Sequence, residues 1–187
     1  HWRDPVSFQY EDLTITSMGP PSSGGICLGQ IMGMLEPYDF DDLDHNNALY
    51  IQLLTEAERR AYADRSHYLG DPDFVSIPTE QLLSRAYLEQ KMASFDPKRA
   101  TASEHIAHGP LIGHESDETT HYSIVDPFGN AISVTTTING AYGSKLFDPE
   151  LGFFYNNEMD DFSAKPGTPN MFGLVGGAAN AIAPGKR

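Results

Sequence analysis

The stretch Thr119-Thr120-His121-Tyr122-Ser123 decides how the rest of the chain reads. It follows a loose polar run over residues 109–118 and opens a segment with strand character. Strand-favouring residues fill 122–125, Asp126-Pro127-Phe128-Gly129-Asn130 supplies turn chemistry, and a second extended run covers 131–138. The pattern predicts a β-hairpin entered through a threonine. Such a threonine becomes a nucleophile if the peptide bond before it is cut, because its freed amine then lies within reach of its own hydroxyl as a base. By local pattern alone the commoner reading is an ordinary strand threonine.

Composition narrows the classes. A chain of 187 residues suffices for one large domain that buries roughly 70% of its unfolded surface. Twelve basic against 26 acidic residues give a net charge of −14, which reads against nucleic acid, whose phosphates need clustered cations. Cys27 is the sole cysteine, so there is no intrachain disulfide and no Cys–Cys or Cys–His metal spacing. No apolar run approaches the roughly 20 residues of a membrane helix. The start at His1-Trp2-Arg3 and the end at Pro184-Gly185-Lys186-Arg187 both read as the interior of something longer.

Along the chain, 13–18 alternates as a short strand, stopped by Gly19-Pro20-Pro21-Ser22-Ser23-Gly24-Gly25. A buried helix follows over 26–35. The serines and glycines before it offer an N-cap and bare N–H groups, suited to an anion or to a plain tight connection. After an acidic loop over 37–44, Asn46 or Asn47 caps a long helix reaching about Leu69. Thr79 caps a third helix to about Phe95. Residues 96–118 hold His105, His108 and His114 without zinc spacing and read as a solvated linker. A loop over 139–149, a short strand over 151–155, a polar turn over 156–162 and a Gly/Pro/Ala-rich end complete the chain, with no internal repeat.

Several blocks together carry a resemblance: Pro20-Pro21-Ser22-Ser23-Gly24-Gly25, Ala61-Tyr62-Ala63-Asp64-Arg65, Tyr68-Leu69-Gly70-Asp71-Pro72-Asp73-Phe74, Thr119 to Ser123, Asn156-Asn157-Glu158-Met159-Asp160-Asp161-Phe162-Ser163, and Leu174-Val175-Gly176-Gly177. In this order, over nearly the whole chain, the sequence resembles the γ-glutamyltranspeptidase (glutathione hydrolase) family of N-terminal-nucleophile hydrolases. The resemblance implies an α+β fold, the four-layer αββα sandwich of that class, incomplete in this chain. It also implies self-cleavage between Glu118 and Thr119. Residues 1–118 would be the C-terminal part of a large subunit, ending in a flexible linker over about 96–118. Residues 119–187 would begin the small catalytic subunit.

By the same resemblance Thr119 is the nucleophile and Thr137 hydrogen-bonds its hydroxyl. Asn139, Glu158 and Asp161 hold the α-amino group of a γ-glutamyl moiety, as a buried ammonium needs acceptors and negative charge. Some relatives carry Gln where Glu158 stands; both accept a hydrogen bond. The implied reaction is γ-glutamyl transfer or hydrolysis through a γ-glutamyl-threonine ester. Glutathione or another γ-glutamyl compound is the donor, and water, an amino acid or a dipeptide the acceptor. No metal or organic cofactor is needed. Relatives are periplasmic, secreted or membrane-tethered, so the resemblance implies a periplasmic, secreted or otherwise extracytoplasmic location.

Relatives also use an upstream arginine, a Pro-Leu-Ser-Ser segment and a later Gly-Gly oxyanion pair, none of which is in this sequence. Gly176-Gly177 is a different pair. An oxyanion hole alone is worth roughly 2.7–4 kcal/mol, so the 187-residue chain is expected to be inactive alone, with the 118–119 bond intact. The rest of both subunits are then its partners, and uncovered sheet faces favour self-association. A capsule poly-γ-glutamate depolymerase, a cephalosporin acylase and a catalytically silent interaction module remain as rival readings.

Overall fold

The computed structural model describes residues 2–40, 43–106 and 120–186. The fold class is α+β. Val6–Tyr10 (β1) and Leu13–Ser17 (β2) form an antiparallel hairpin that pairs Val6 with Ser17 and Tyr10 with Leu13. Only β2 is expected from the sequence, although the alternation of Val6, Phe8 and Tyr10 carries the same signal. Gly24–Leu35 (α1) and Ala48–Tyr68 (α2) follow. Asn47 caps α2 as expected, its side chain accepting from the Tyr50 N–H at 2.8 Å.

The third expected helix is instead two. Thr79–Leu82 (α3) ends at Leu83, and Arg85–Met92 (α4) starts after Ser84. Pro78, not Thr79, occupies the first N-cap. Ser84 is extended, with its hydroxyl donating back to the Gln81 carbonyl at 2.8 Å, a local bond that competes with helix continuation. The break serves packing. Leu82 enters one apolar cluster with Val6, Ile26, Cys27 and Leu69. Leu88 and Met92 enter another with Met34, Leu53, Ala57 and Ala61.

Three polar groups of α2 are buried alongside. Asp64 accepts from Gln30 of α1 (2.8 Å) and from Tyr87 (3.0 Å) and Lys91 (2.7 Å) of α4, so one carboxylate ties three helices. Glu56 and Arg60, each 2% exposed, form an ion pair one turn apart on the same helix. This pair reaches into the stretch expected to be a linker. Glu56 accepts from the Thr101 N–H at 2.8 Å, and Arg60 donates to Ser94 (2.8 Å) and Thr101 (3.1 Å). Arg59 donates to the Thr101 carbonyl (2.8 Å) and to Ser103 (2.9 Å), and Ile106 is buried. The chain around Thr101 and Ser103 therefore lies against α2. His108, His114 and the 118–119 bond lie outside the described residues.

After them, Thr120–Val125 (β3) and Ala131–Thr136 (β4) form the expected hairpin, closed by Asp126, which accepts from the N–H groups of Phe128 and Asn130 at 2.9 Å. The register places Tyr122 opposite Val134 and Ile124 opposite Ile132. Tyr122, Ile124 and Ile132 stay exposed, an uncovered apolar face of the kind expected. Phe147–Asp148 (β5) and Phe153–Phe154 (β6) make a third, minimal hairpin. Its first strand falls in the stretch expected to be loop.

Burial alone would raise the Glu56 carboxyl. Hydrogen bonds from Arg60 and Thr101, with the Arg60 charge, outweigh it and hold the carboxyl below the usual glutamate value. A depressed folded pKa gives stability that is present above the unfolded value and lost as pH falls through the folded one. Replacing Glu56 by Ala strands the Arg60 guanidinium, so urea unfolding at pH 7 should show a loss of about 3–5 kcal/mol. That loss should shrink as the pH falls below about 4.3, the free glutamate value.

Candidate active site

The loop leaving β4 carries two of the sequence-nominated residues. Thr137 is exposed and its hydroxyl accepts from the Asn139 N–H at 2.9 Å. Asn139 is buried, with φ of 73°, a left-handed conformation that asparagine tolerates better than most residues.

Asn157 holds this loop against the acidic turn. Its carbonyl accepts from Asn139 Nδ2 (3.0 Å), its Oδ1 from the Gly140 N–H (2.9 Å), and its own N–H donates to the Ile138 carbonyl (3.2 Å). The next residue, Glu158, begins the 3-10 turn Glu158–Asp161. The loop carrying Thr137 and Asn139 is thus held against the residue that precedes the turn carrying Glu158 and Asp161. Sequence reasoning missed Asn157. The only available signal was an Asn-Asn pair ahead of the acids, with no helix long enough to need a strong cap.

Both acids are shifted in the same direction. Burial, then the charge of Asp161, lifts the Glu158 carboxyl above its ordinary value. Asp161 is lifted by burial and by Asp160, while Arg65 of α2 opposes the shift. Glu158 is half-buried and Asp161 exposed, and two crowded carboxylates of this kind repel one another less when a cation lies between them.

Arg65 also donates to Ser23 Oγ at 3.0 Å. That corrects the expected capping role: Ser23 is the N-cap of α1 but its side chain makes no capping bond. At the same corner, Gly177 lies against the Ser66 carbonyl and Gly176 against the Ser163 side chain. The separate blocks around Ser23, Arg65, Asp161 and Gly177 therefore converge.

Burial pushes the Cys27 thiol up to about 11, leaving a poor nucleophile at neutral pH. Among the described residues no group of three or more His, Cys, Asp or Glu could hold a metal. No described helix is long and apolar enough to cross a membrane. A cavity of about 220 Å³ between α1 and α4, lined by Met34, Tyr38, Leu88 and Met92 among others, includes none of the four site residues. The nominated nucleophile Thr119 and its neighbour Glu118 lie outside the described residues.

The described geometry is an α+β chain in which the loop carrying Thr137 and Asn139 is held by Asn157 against the turn carrying Glu158 and Asp161. The family model for γ-glutamyltranspeptidase matches residues 1–187, and the chain belongs to that family. It is 49% identical over 185 residues to the glutathione hydrolase proenzyme of Escherichia coli (strain K12), covering 99% of this chain and 32% of that protein. The crystal structure of Helicobacter pylori γ-glutamyltranspeptidase matches with a TM-score of 0.56 and 41% identity, over 63% of this chain and 34% of that one. The cephalosporin acylase of Bacillus halodurans matches over 100% of this chain and 30% of its own, with a TM-score of 0.68 at 22% identity, a likeness of fold. The chain spans about a third of the length of the curated relatives it matches.

Carboxyl NMR titration of the chain should give Glu158 and Asp161 midpoints above about 4.3 and 3.9, the free side-chain values. Asp126 and Asp148, held by hydrogen bonds from Asn130 and from Leu151 and Tyr155, should titrate below the free aspartate value.

Proposed function

We propose that this chain supplies the self-cleaving junction and the amine-binding corner of a γ-glutamyl transferase and hydrolase. The Thr119 hydroxyl attacks the Glu118 carbonyl, the amide becomes an ester, and water releases a new N-terminal threonine. Residues 1–118 then close a large subunit and 119–187 open a small one, within a stacked-sheet αββα sandwich completed by the rest of the protein. The freed α-amine, with an ordinary pKa of about 7.7–8.0, acts as general base near neutral pH. Thr119 attacks the γ-amide of glutathione or a related donor, the amine leaves, and the γ-glutamyl ester passes to water or to an amino acid or dipeptide amine. Thr137 steadies the attacking hydroxyl. The location is outside the cytoplasm, and the isolated chain is inactive and prone to self-association.

The observation that supports this reading best is the Asn157 hold on the 138–140 loop. Asn139 Nδ2 is engaged by the Asn157 carbonyl, so Oδ1 is the atom left to accept from a substrate ammonium. Glu158 and Asp161 add the negative charge. A 35% identity over 185 residues to the Acylase ACY 1 proenzyme of Pseudomonas sp. (strain SE83) supports a rival, acyl transfer from donors without that ammonium. N-blocked donors separate the two: γ-glutamyl chemistry loses them, whereas an acylase retains them.

In the full-length protein, Thr119→Ala should leave the precursor uncleaved on a denaturing gel and release no aniline from a γ-glutamyl anilide. Turnover equal to the parent's would remove Thr119 from the mechanism. Asp161→Asn should raise KM for that anilide by about ten- to a hundredfold, the worth of one hydrogen bond to a charge. In the parent, KM should rise as pH falls through the lifted carboxyl values, because the protonated acids no longer attract the ammonium. That acid limb should flatten in Asp161→Asn.

A further inference from the structure

Asp161 ends a single 3-10 turn, and its carbonyl has no partner within the turn. The Asn180 side chain fills that need, with Nδ2 donating to the Asp161 carbonyl at 2.7 Å. Backbone bonds extend the contact: the Ser163 N–H donates to the Asn180 carbonyl (2.9 Å) and the Ile182 N–H to the Ser163 carbonyl (3.2 Å). Residues 161–163 are therefore laced to 180–182 on three counts, and only one is a side-chain bond.

The lacing segment is itself fixed from outside. A Cβ on Gly177 would come within 2.6 Å of the Ser66 carbonyl, and one on Gly70 would run into the Ala179 carbonyl. Both obstacles are backbone, so the segment 177–180 fits the end of α2 only because these positions lack side chains. Lys186 adds donors to the carbonyls of Ala179 (2.7 Å) and Ala181 (2.8 Å). Residues ahead of the proposed cleavage point thus hold residues behind it.

We infer that Asn180 is a positioning residue for the γ-glutamyl ammonium: its bond to the Asp161 carbonyl sets where the Asp161 carboxylate stands, against a platform made by the end of α2. This rests on the proposed function. It assigns Asn180 no contact with substrate. A group acting through ground-state ammonium binding, which persists in the transition state, changes KM and leaves kcat alone.

The test uses the full-length matured enzyme and a γ-glutamyl anilide. Asn180→Ala removes the donor, and Asn180→Asp keeps the shape while removing it. Each should raise KM about two- to tenfold, the worth of one neutral hydrogen bond, with kcat within about twofold of the parent. In an Asp161→Asn background the same substitutions should leave KM where Asp161→Asn alone puts it. The inference is overturned by an unchanged KM in both single variants, by an equal KM rise in the Asp161→Asn background, or by failure of both variants to mature. If Asp161→Asn by itself leaves KM unaltered, it is the ammonium reading that fails. If it raises KM and the Asn180 variants do not, the inference alone falls.

Discussion

Asn157 makes three bonds, through its carbonyl, its amide oxygen and its own N–H, to a loop that begins 19 residues earlier at Ile138. A side chain and backbone that satisfy three polar groups of one loop leave that loop little freedom relative to the turn that follows Asn157. Asn139 sits buried at positive φ, and this hold fixes both its amide and the next residue's N–H. Asparagine suits this position because its amide both accepts and donates on a short stem, so few rotamers are lost. Its Nδ2 also finds the Met171 sulfur at 3.2 Å, which brings the Gly/Pro/Ala-rich end of the chain into the same corner.

The helical half provides the rigid wall behind that corner. α2 is an unusual core helix because its buried face mixes alanine and leucine with Glu56, Arg60 and Asp64. Buried charges are costly unless paired, and each of these three is bonded across to another element. Through Asp64 and Arg60 these partners add directional bonds from α2 to both α1 and α4. The end of α2 is consequently a firm base for Arg65 and for the glycine contacts that reach the acidic turn.

Much of the fold was legible where local chemistry decides it. Asn47 as a cap, the Asp126–Asn130 turn and the alternation of β3 and β4 each act within a few residues. The split of α3 from α4 was not legible, because Leu82 and Leu88 enter different clusters and only the packed structure separates those. The tethering of Thr101 and Ser103 was hidden for a similar reason: their partner Arg59 lies more than 40 residues earlier, in α2. For the site, motif resemblance nominated Thr137, Asn139, Glu158 and Asp161, whereas period and composition could not. The residues that join them, Asn157 and Asn180, read as ordinary loop asparagines until the chain is folded.

At the centre stands one claim: the corner built by Asn157 presents a γ-glutamyl group to a threonine freed at position 119. Quenching the full-length enzyme with acid during turnover of a γ-glutamyl anilide, then mapping its peptides by mass spectrometry, reads that event directly. The acyl group is expected on Thr119, at the start of the smaller chain. A stable acyl group on any other residue, or none under conditions where the anilide is being consumed, would contradict it.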